Sequence, residues 1–144
     1  MQSHFTTITR AILIRCEPGE DLLDCLQRAV QEHGVQNGAF VSGAGSLSAY
    51  HFHVVSSTEL PPDNAFVKGE GPFDIVAITG YVLGGRVHAH ITFSDEKIAM
   101  GGHLEPGCTV LTFALVTLLD IIGADMSTWD HVPGRTYPTS NNPA

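Results

Sequence analysis

The segment Arg86–Ser94, RVHAHITFS, constrains the fold most, because every second residue in it is apolar. Successive side chains of a β-strand point to opposite faces of the sheet, so this alternation predicts a half-buried strand. The residues predicted to face the core are Val87, Ala89, Ile91 and Phe93. His88 and His90 would share the polar face, roughly 6.6 Å apart along the strand.

Most of the remaining chain has the same β-rich character. Further strands are predicted by β-branched runs bounded by Gly, Pro or Asp, at residues 5–16, 35–41, 47–55, 73–83, 97–102 and 109–121. A small-residue turn is predicted at residues 42–46. Residues 58–72 are predicted to form a loop with a short edge strand at 66–68.

One segment has helical periodicity instead. Leu22, Leu26 and Val30 recur at helical spacing, acidic residues lie early in the segment, and Gly34 can end the helix. At 144 residues the chain suits a single domain. We therefore predict one α+β domain over residues 1–123, with a largely antiparallel central sheet and one main helix packed on it. Residues 124–144 would form a polar tail around Trp129, disordered at its end.

Composition narrows the function and the compartment. The formal net charge is −8, with only seven Lys and Arg and no basic run, which argues against a general polyanion binder. The cysteines number three and form no CxxC motif, which does not fit a set of disulfide bonds and favours location in the reducing cytoplasm. We expect the three thiols to be buried rather than reactive. No signal-peptide pattern is found. The longest apolar run, at residues 108–124, is too short and too rich in Thr for a membrane span.

A third histidine follows the His-x-His strand closely. A turn near residues 95–96 would return the chain antiparallel and bring His103, after Gly101 and Gly102, opposite His88. Three imidazoles can bind Zn²⁺ at about 2.0–2.1 Å and leave one coordination position open. Iron, nickel and copper also accept imidazole ligands. The alternative is that the histidines form a solvated strand face.

Other candidate groups have weaker signals. His51 and His53 repeat the His-x-His spacing, and we interpret them as lying on a solvent-facing or subunit-facing strand. Asp74 and Glu105 are the carboxylates nearest the histidines in sequence, and either could orient an imidazole, act as a base or be an exposed charge. Arg86 shares the histidine face, where it could bind an anion or remain solvated.

Two blocks of the sequence, GPFDIVAITGYV and VHAHITFSDEKIAMGGHLEPGCTV, resemble the plant and prokaryote conserved (PPC) domain family. A helix opened by Gly19 to Leu22 and the Ser-Gly-x-Gly segment 42–45 agree with the family pattern. The resemblance covers about residues 8–122 and is carried mainly by Gly-Gly-His-Leu after a His-x-His strand.

The resemblance implies a homotrimer and a metal, usually zinc, on His88, His90 and His103. It also implies a cavity beside that site, whose lining would be Ser42, Gly43, Gly45, Gly101 and Gly102, with Arg86 on the same strand face as the histidines. The chain departs from the family at Leu115, where members often carry Glu. It also lacks the Arg-Gly-Arg-Pro AT-hook of plant members, so direct DNA binding is not expected.

Two functions follow from these features. The first is a metal-binding trimer that holds a small polar or anionic molecule at the open metal position, with no reaction assigned. The second is a DNA-associated or regulatory interaction module, as the family label suggests.

Overall fold

A computed structural model of the protein describes residues 1–137. It contains six strands and one helix in the order β1 (Thr7–Cys16), α1 (Leu22–Glu32), β2 (Asn37–Val55), β3 (Asn64–Leu83), β4 (Arg86–Ser94), β5 (Ala99–Leu104) and β6 (Thr109–Ile122). The strands form one sheet in the order β1-β6-β2-β3-β4-β5, and all pairings are antiparallel. The predicted antiparallel sheet with one helix is confirmed. Because the helix has only 11 residues, α+β describes the fold only approximately.

The far edge of the sheet curls back on itself. β5 pairs with β4 and also with the second half of β2, through Phe52 with Leu104 and His53 with His103. Strands β2, β3, β4 and β5 therefore form a closed ring. Aromatic side chains fill it, with the Phe93 ring 4.9 Å from Tyr50 and 5.3 Å from Phe73. This ring fixes the spacing of the strands that carry the histidines.

The helix covers the inner face of the sheet. Its buried residues are Leu22, Cys25, Leu26 and Val30. Asp21 caps its first turn by accepting a hydrogen bond from the Asp24 amide, and it also accepts one from the Gly107 amide at the turn before β6. All three cysteines are buried, as predicted, and burial raises the pKa of Cys108 to about 11.

Strand β4 alternates as its sequence predicts. Val87, Ala89, Ile91 and Phe93 are buried, and the histidine face points away from the core. The outer face of β1 and β6 instead exposes large apolar side chains, at Leu13, Leu111, Phe113 and Leu115.

Two predicted loops are strands in the structure. The predicted turn at 42–46 is wrong, because β2 runs unbroken through it with register shifts against β6. A Cβ on Gly45 would collide with the Phe113 carbonyl oxygen, so the small residue allows close strand approach there. The predicted loop at 58–72 is wrong from Asn64 onward, since β3 begins there and pairs with β2.

Beyond β6 the chain continues as turns and irregular structure to residue 137. Trp129 in this segment is 44% exposed, and its ring lies 5.6 Å from that of His4. The boundary predicted after residue 123 stays a prediction, and the disorder predicted for the final residues falls outside the described chain. No helix among residues 1–137 has the length and apolarity that a membrane span needs.

Candidate metal centre

The three histidines of the predicted metal site lie together on the outer face of β4 and β5. Their ring centroids are 4.7 Å apart for His88 and His103, 5.3 Å for His90 and His103, and 5.7 Å for His88 and His90. One ring nitrogen from each falls within 4.8 Å of the others. Three nitrogens at this spacing can converge on a single ion after small rotations of the rings.

The register between β4 and β5 differs from the prediction. His103 pairs directly with His90 rather than with His88. The turn has four residues, closed by a 3.0 Å hydrogen bond from the Asp95 amide to the Ile98 carbonyl. The Asp95 carboxylate also accepts from the Lys97 and Ile98 amides at 2.7 and 2.8 Å. The longer turn shifts the pairing by two residues and leaves His88 diagonal to His103 on the same face.

A carboxylate from the C-terminal segment orients one of the three rings. Asp130 Oδ2 lies 3.0 Å from His88 Nδ1. Because a carboxylate only accepts, Nδ1 carries the proton and Nε2 is left with a free lone pair for a metal. Local sequence could not predict this contact, since Asp130 is 42 residues from His88.

Arg86 holds Asp130 in place. Its two terminal nitrogens donate to the two carboxylate oxygens at 2.7 and 2.9 Å. These bonds, and more weakly the one from His88, lower the pKa of Asp130 to about 2 against the opposing effect of burial. The arginine on the histidine face therefore fixes the orientation of a carboxylate.

Two of the three rings, those of His90 and His103, favour their neutral form. Burial, and then the neighbouring His88 and His53, lowers the pKa of His103 to about 4. Burial and the same two neighbours also lower the pKa of His90. Metal ligation requires the neutral imidazole, so at neutral pH neither ring needs to lose a proton before it binds an ion.

A cavity of about 470 Å³ opens over the three histidines. Of the other predicted lining residues, Arg86 and Gly102 lie in its wall. A Cβ on Gly101 would collide with the Ile91 carbonyl oxygen, and one on Gly102 with that of His53. Both glycines thus allow neighbouring strands to approach closely.

The segment 42–45, which was predicted to line the same cavity, lies apart from these residues of the wall. Ser42 and Gly43 line a separate hollow with Leu13 and Leu115. Gly45 faces Ala114 across the β2–β6 pairing. The structure does not bring these three residues to the histidine cavity.

A fourth histidine joins the cavity wall, from the pair that was predicted to face solvent or a subunit. His53 pairs across strands with His103, with ring centroids 4.5 Å apart, and its Nδ1 lies 2.6 Å from Glu105 Oε1. His51 turns its Nδ1 to the Pro106 carbonyl at 2.7 Å instead. The closure of β2 on β5 is a long-range pairing, so the local sequence pattern could not distinguish the two histidines.

Asp74 pairs with Ser94 at the other end of β4.

An antiparallel sheet that carries a histidine cluster on its outer face defines this molecule. The sequence matches the Plants and Prokaryotes Conserved (PCC) domain over residues 3–122, and the chain belongs to that family.

Solved structures and a curated protein are similar to this chain. The metal-containing protein AF0104 from Archaeoglobus fulgidus has the same fold, with a TM-score of 0.77 over 87% of this chain and 89% of its own, at 19% identity. A plant- and prokaryote-conserved protein from Pyrococcus horikoshii gives a TM-score of 0.75 over 87% of each chain, at 22% identity. The Bifunctional protein GlmU of Synechococcus sp. (strain JA-3-3Ab) is 32% identical over 112 residues, which are 77% of this chain. The present chain spans only 17% of that protein's length.

Proposed function

We propose that the protein binds one divalent transition metal ion, zinc foremost, on His88, His90 and His103, and holds a small polar or anionic molecule at the coordination position that the protein leaves open. The observation that carries the proposal is the group of three imidazole nitrogens within 4.8 Å of one another beneath a cavity of about 470 Å³. Three protein ligands and a free position are typical of zinc sites that bind exogenous molecules.

The donor set fits a transition metal by its chemistry. All three ligands are imidazoles, which suit zinc, copper, iron and nickel better than magnesium or calcium. The Asp130–His88 hydrogen bond is the carboxylate–histidine support found behind many ligating histidines. A relative with the same fold is described as a metal-containing protein. When bound, such an ion would supply Lewis acidity to the molecule beside it.

The cavity wall supports a polar or anionic ligand. Arg135, Asn64 and Tyr137 lie in it together with the histidines. Arg135 donates to the Pro62 carbonyl at 3.0 Å through one terminal nitrogen. A guanidinium has five N–H donors, so Arg135 retains donors for a carboxylate or phosphate.

The proposal includes assembly as a homotrimer through the outer face of β1 and β6. That face exposes Leu13, Phe113 and Leu115, at 82%, 38% and 48% of their full areas. Clustered apolar side chains of this size on a surface typically mark an association site. The charge-poor composition, with 15% charged residues, is consistent with burial of part of the surface between subunits.

Metal content of the tag-free protein, measured by plasma mass spectrometry, tests the proposal. We expect about one zinc per chain, lost in His88→Ala and in His103→Ala. His33→Ala is the matched control, because His33 is exposed at the end of α1, remote in sequence from the site. Metal retained in both site variants would refute the three-histidine centre.

A further inference from the structure

His53 borders the cavity without belonging to the three-histidine group. Within residues 1–137, the possible metal-ligating atoms that cluster within 4.8 Å form two sets: one is the ring nitrogens of His88, His90 and His103, and the other joins ring nitrogens of His53 and His103 to a carboxylate oxygen of Glu105. His53 also lies in the wall of the cavity that opens over the first set. It is therefore adjacent to the proposed centre and faces the space that a ligand would enter.

The orientation of His53 is fixed from behind. Its Nδ1 lies 2.6 Å from Glu105 Oε1, and the two side chains are only 17% and 22% exposed. The His53 ring also lies close to two other rings, with centroids 5.2 Å from Phe66 and 4.5 Å from His103. Since the carboxylate can only accept, Nδ1 keeps the proton, and Nε2 is the ring nitrogen left to act as a hydrogen-bond acceptor.

We propose that the Glu105–His53 pair selects the ligand of the cavity, by accepting a hydrogen bond at His53 Nε2 from a molecule that carries a hydroxyl or N–H next to its metal-binding atom. Hydroxamic acids and α-hydroxy acids belong to this class. Anions that lack a hydrogen-bond donor would gain no affinity from His53. This inference rests on the proposed metal centre and adds the chemical class of its ligand.

His51 provides an internal comparison. It lies two residues away on the same strand and also uses its Nδ1 against an oxygen, the Pro106 carbonyl at 2.7 Å. It lines a different hollow, with Lys68 and Gly107. Removing His51 should therefore leave ligand binding at the histidine cavity unchanged.

The test uses cobalt(II)-loaded protein, whose visible absorption reports ligand binding without any assay of activity. Two probes are titrated at about pH 8, where free imidazole is neutral. Acetohydroxamate carries a donor beside its metal-binding oxygens, and thiocyanate carries none. We expect His53→Ala to weaken acetohydroxamate binding by about three- to tenfold, the loss of one hydrogen bond. Thiocyanate affinity should stay within about twofold of wild type on the same scale.

Further variants keep the test decisive. Glu105→Ala should weaken acetohydroxamate in the same direction, and His53→Gln, which retains an acceptor oxygen, should lose less than His53→Ala. Cobalt stoichiometry and thermal unfolding are recorded for each variant, with His51→Ala as the control. If one of the two His53 variants is too unstable to purify, the other His53 variant and Glu105→Ala are compared with the wild-type protein instead.

Several results would overturn the inference. An unchanged acetohydroxamate affinity in His53→Ala would do so, as would an equal loss for both probes. Lost cobalt in a folded His53→Ala would mean that His53 is itself a ligand. If the wild-type protein binds no cobalt, the proposed function fails as well. The cobalt stoichiometry of the wild-type protein is therefore measured first, because it distinguishes that failure from a loaded centre whose ligand binding does not depend on His53.

Discussion

Asp130 offers the sharpest test of how the proposed centre is built, because its carboxylate hydrogen-bonds directly to the ring of His88, a proposed ligand. Its side chain is 12% exposed, and its oxygens accept from both Arg86 and His88. Replacement by Ala removes the acceptor that fixes the His88 tautomer. Loss of such a partner typically weakens metal binding by about 10- to 100-fold, or about 1.4–2.8 kcal/mol. We expect that loss for Asp130→Ala.

The same substitution also affects the metal-free fold. The pKa of Asp130 falls from an ordinary 3.8 to about 2. At 1.36 kcal/mol per pKa unit this corresponds to about 2 kcal/mol. We reduce the expected loss of unfolding free energy to about 1 kcal/mol, because the Arg86 side chain is half exposed and solvent screens the pair. Asp130→Ala should therefore affect metal affinity more than stability.

Competition with a chromophoric chelator measures the affinity, and urea unfolding of the metal-free protein measures the stability. Asp130→Asn, which keeps one acceptor oxygen, should lie between wild type and Asp130→Ala. Asp125→Asn is the control, because Asp125 is exposed in the same segment and accepts a hydrogen bond from the nearby Ser127 amide. Wild-type metal affinity in Asp130→Ala would refute the view that this carboxylate orients His88.

Three further predictions follow from the site and the sheet. The folded pKa of His103, about 4, lies below its ordinary 6.5, so the unfolded chain binds more protons between those values. The unfolding free energy of the metal-free protein should therefore fall by at most about 3 kcal/mol as pH falls from about 6.5 to about 4. Urea unfolding at several pH values measures this, and an unfolding free energy that does not change over that range would contradict a buried, neutral His103 ring. Gly102→Ala should destabilise the fold by about 1–3 kcal/mol, because the new Cβ meets the His53 carbonyl oxygen. Gly34→Ala is the comparison for backbone strain alone, because Gly34 has a positive φ but open space around the position of a Cβ. Equal losses of thermal stability in the two variants would contradict the role of Gly102 in close strand approach. If the protein forms the proposed trimer, Leu115→Asp should convert it to monomers, since the change introduces a charge on the exposed apolar face. Light scattering with multi-angle detection measures this, and a trimer that survives would exclude that face as the interface.

Local patterns in the sequence predicted the parts of the site that lie on single strands. The alternation of β4 correctly divided its residues between core and outer face, and it brought His88 and His90 to one side. His103 was correctly expected beside them, although two residues out of register, because a four-residue turn cannot be distinguished from a shorter one by composition.

The parts that sequence reasoning missed depend on contacts between distant segments. Asp130 reaches His88 from a segment after the last strand, and the pattern there is polar and irregular. His53 reaches His103 only because β2 is long enough to pair with β5 after it has paired with β6. The predicted turn at 42–46 concealed that length, since small residues that permit close strand approach resemble turn residues in sequence.

An anomalous difference map from crystals of the tag-free protein, recorded on both sides of the zinc absorption edge, would locate the proposed metal ion directly. The proposed three-histidine centre predicts one peak per chain at about 2.0–2.1 Å from one nitrogen each of His88, His90 and His103. A peak centred instead on His53 and Glu105, or the absence of any peak in crystals grown with zinc, would contradict it.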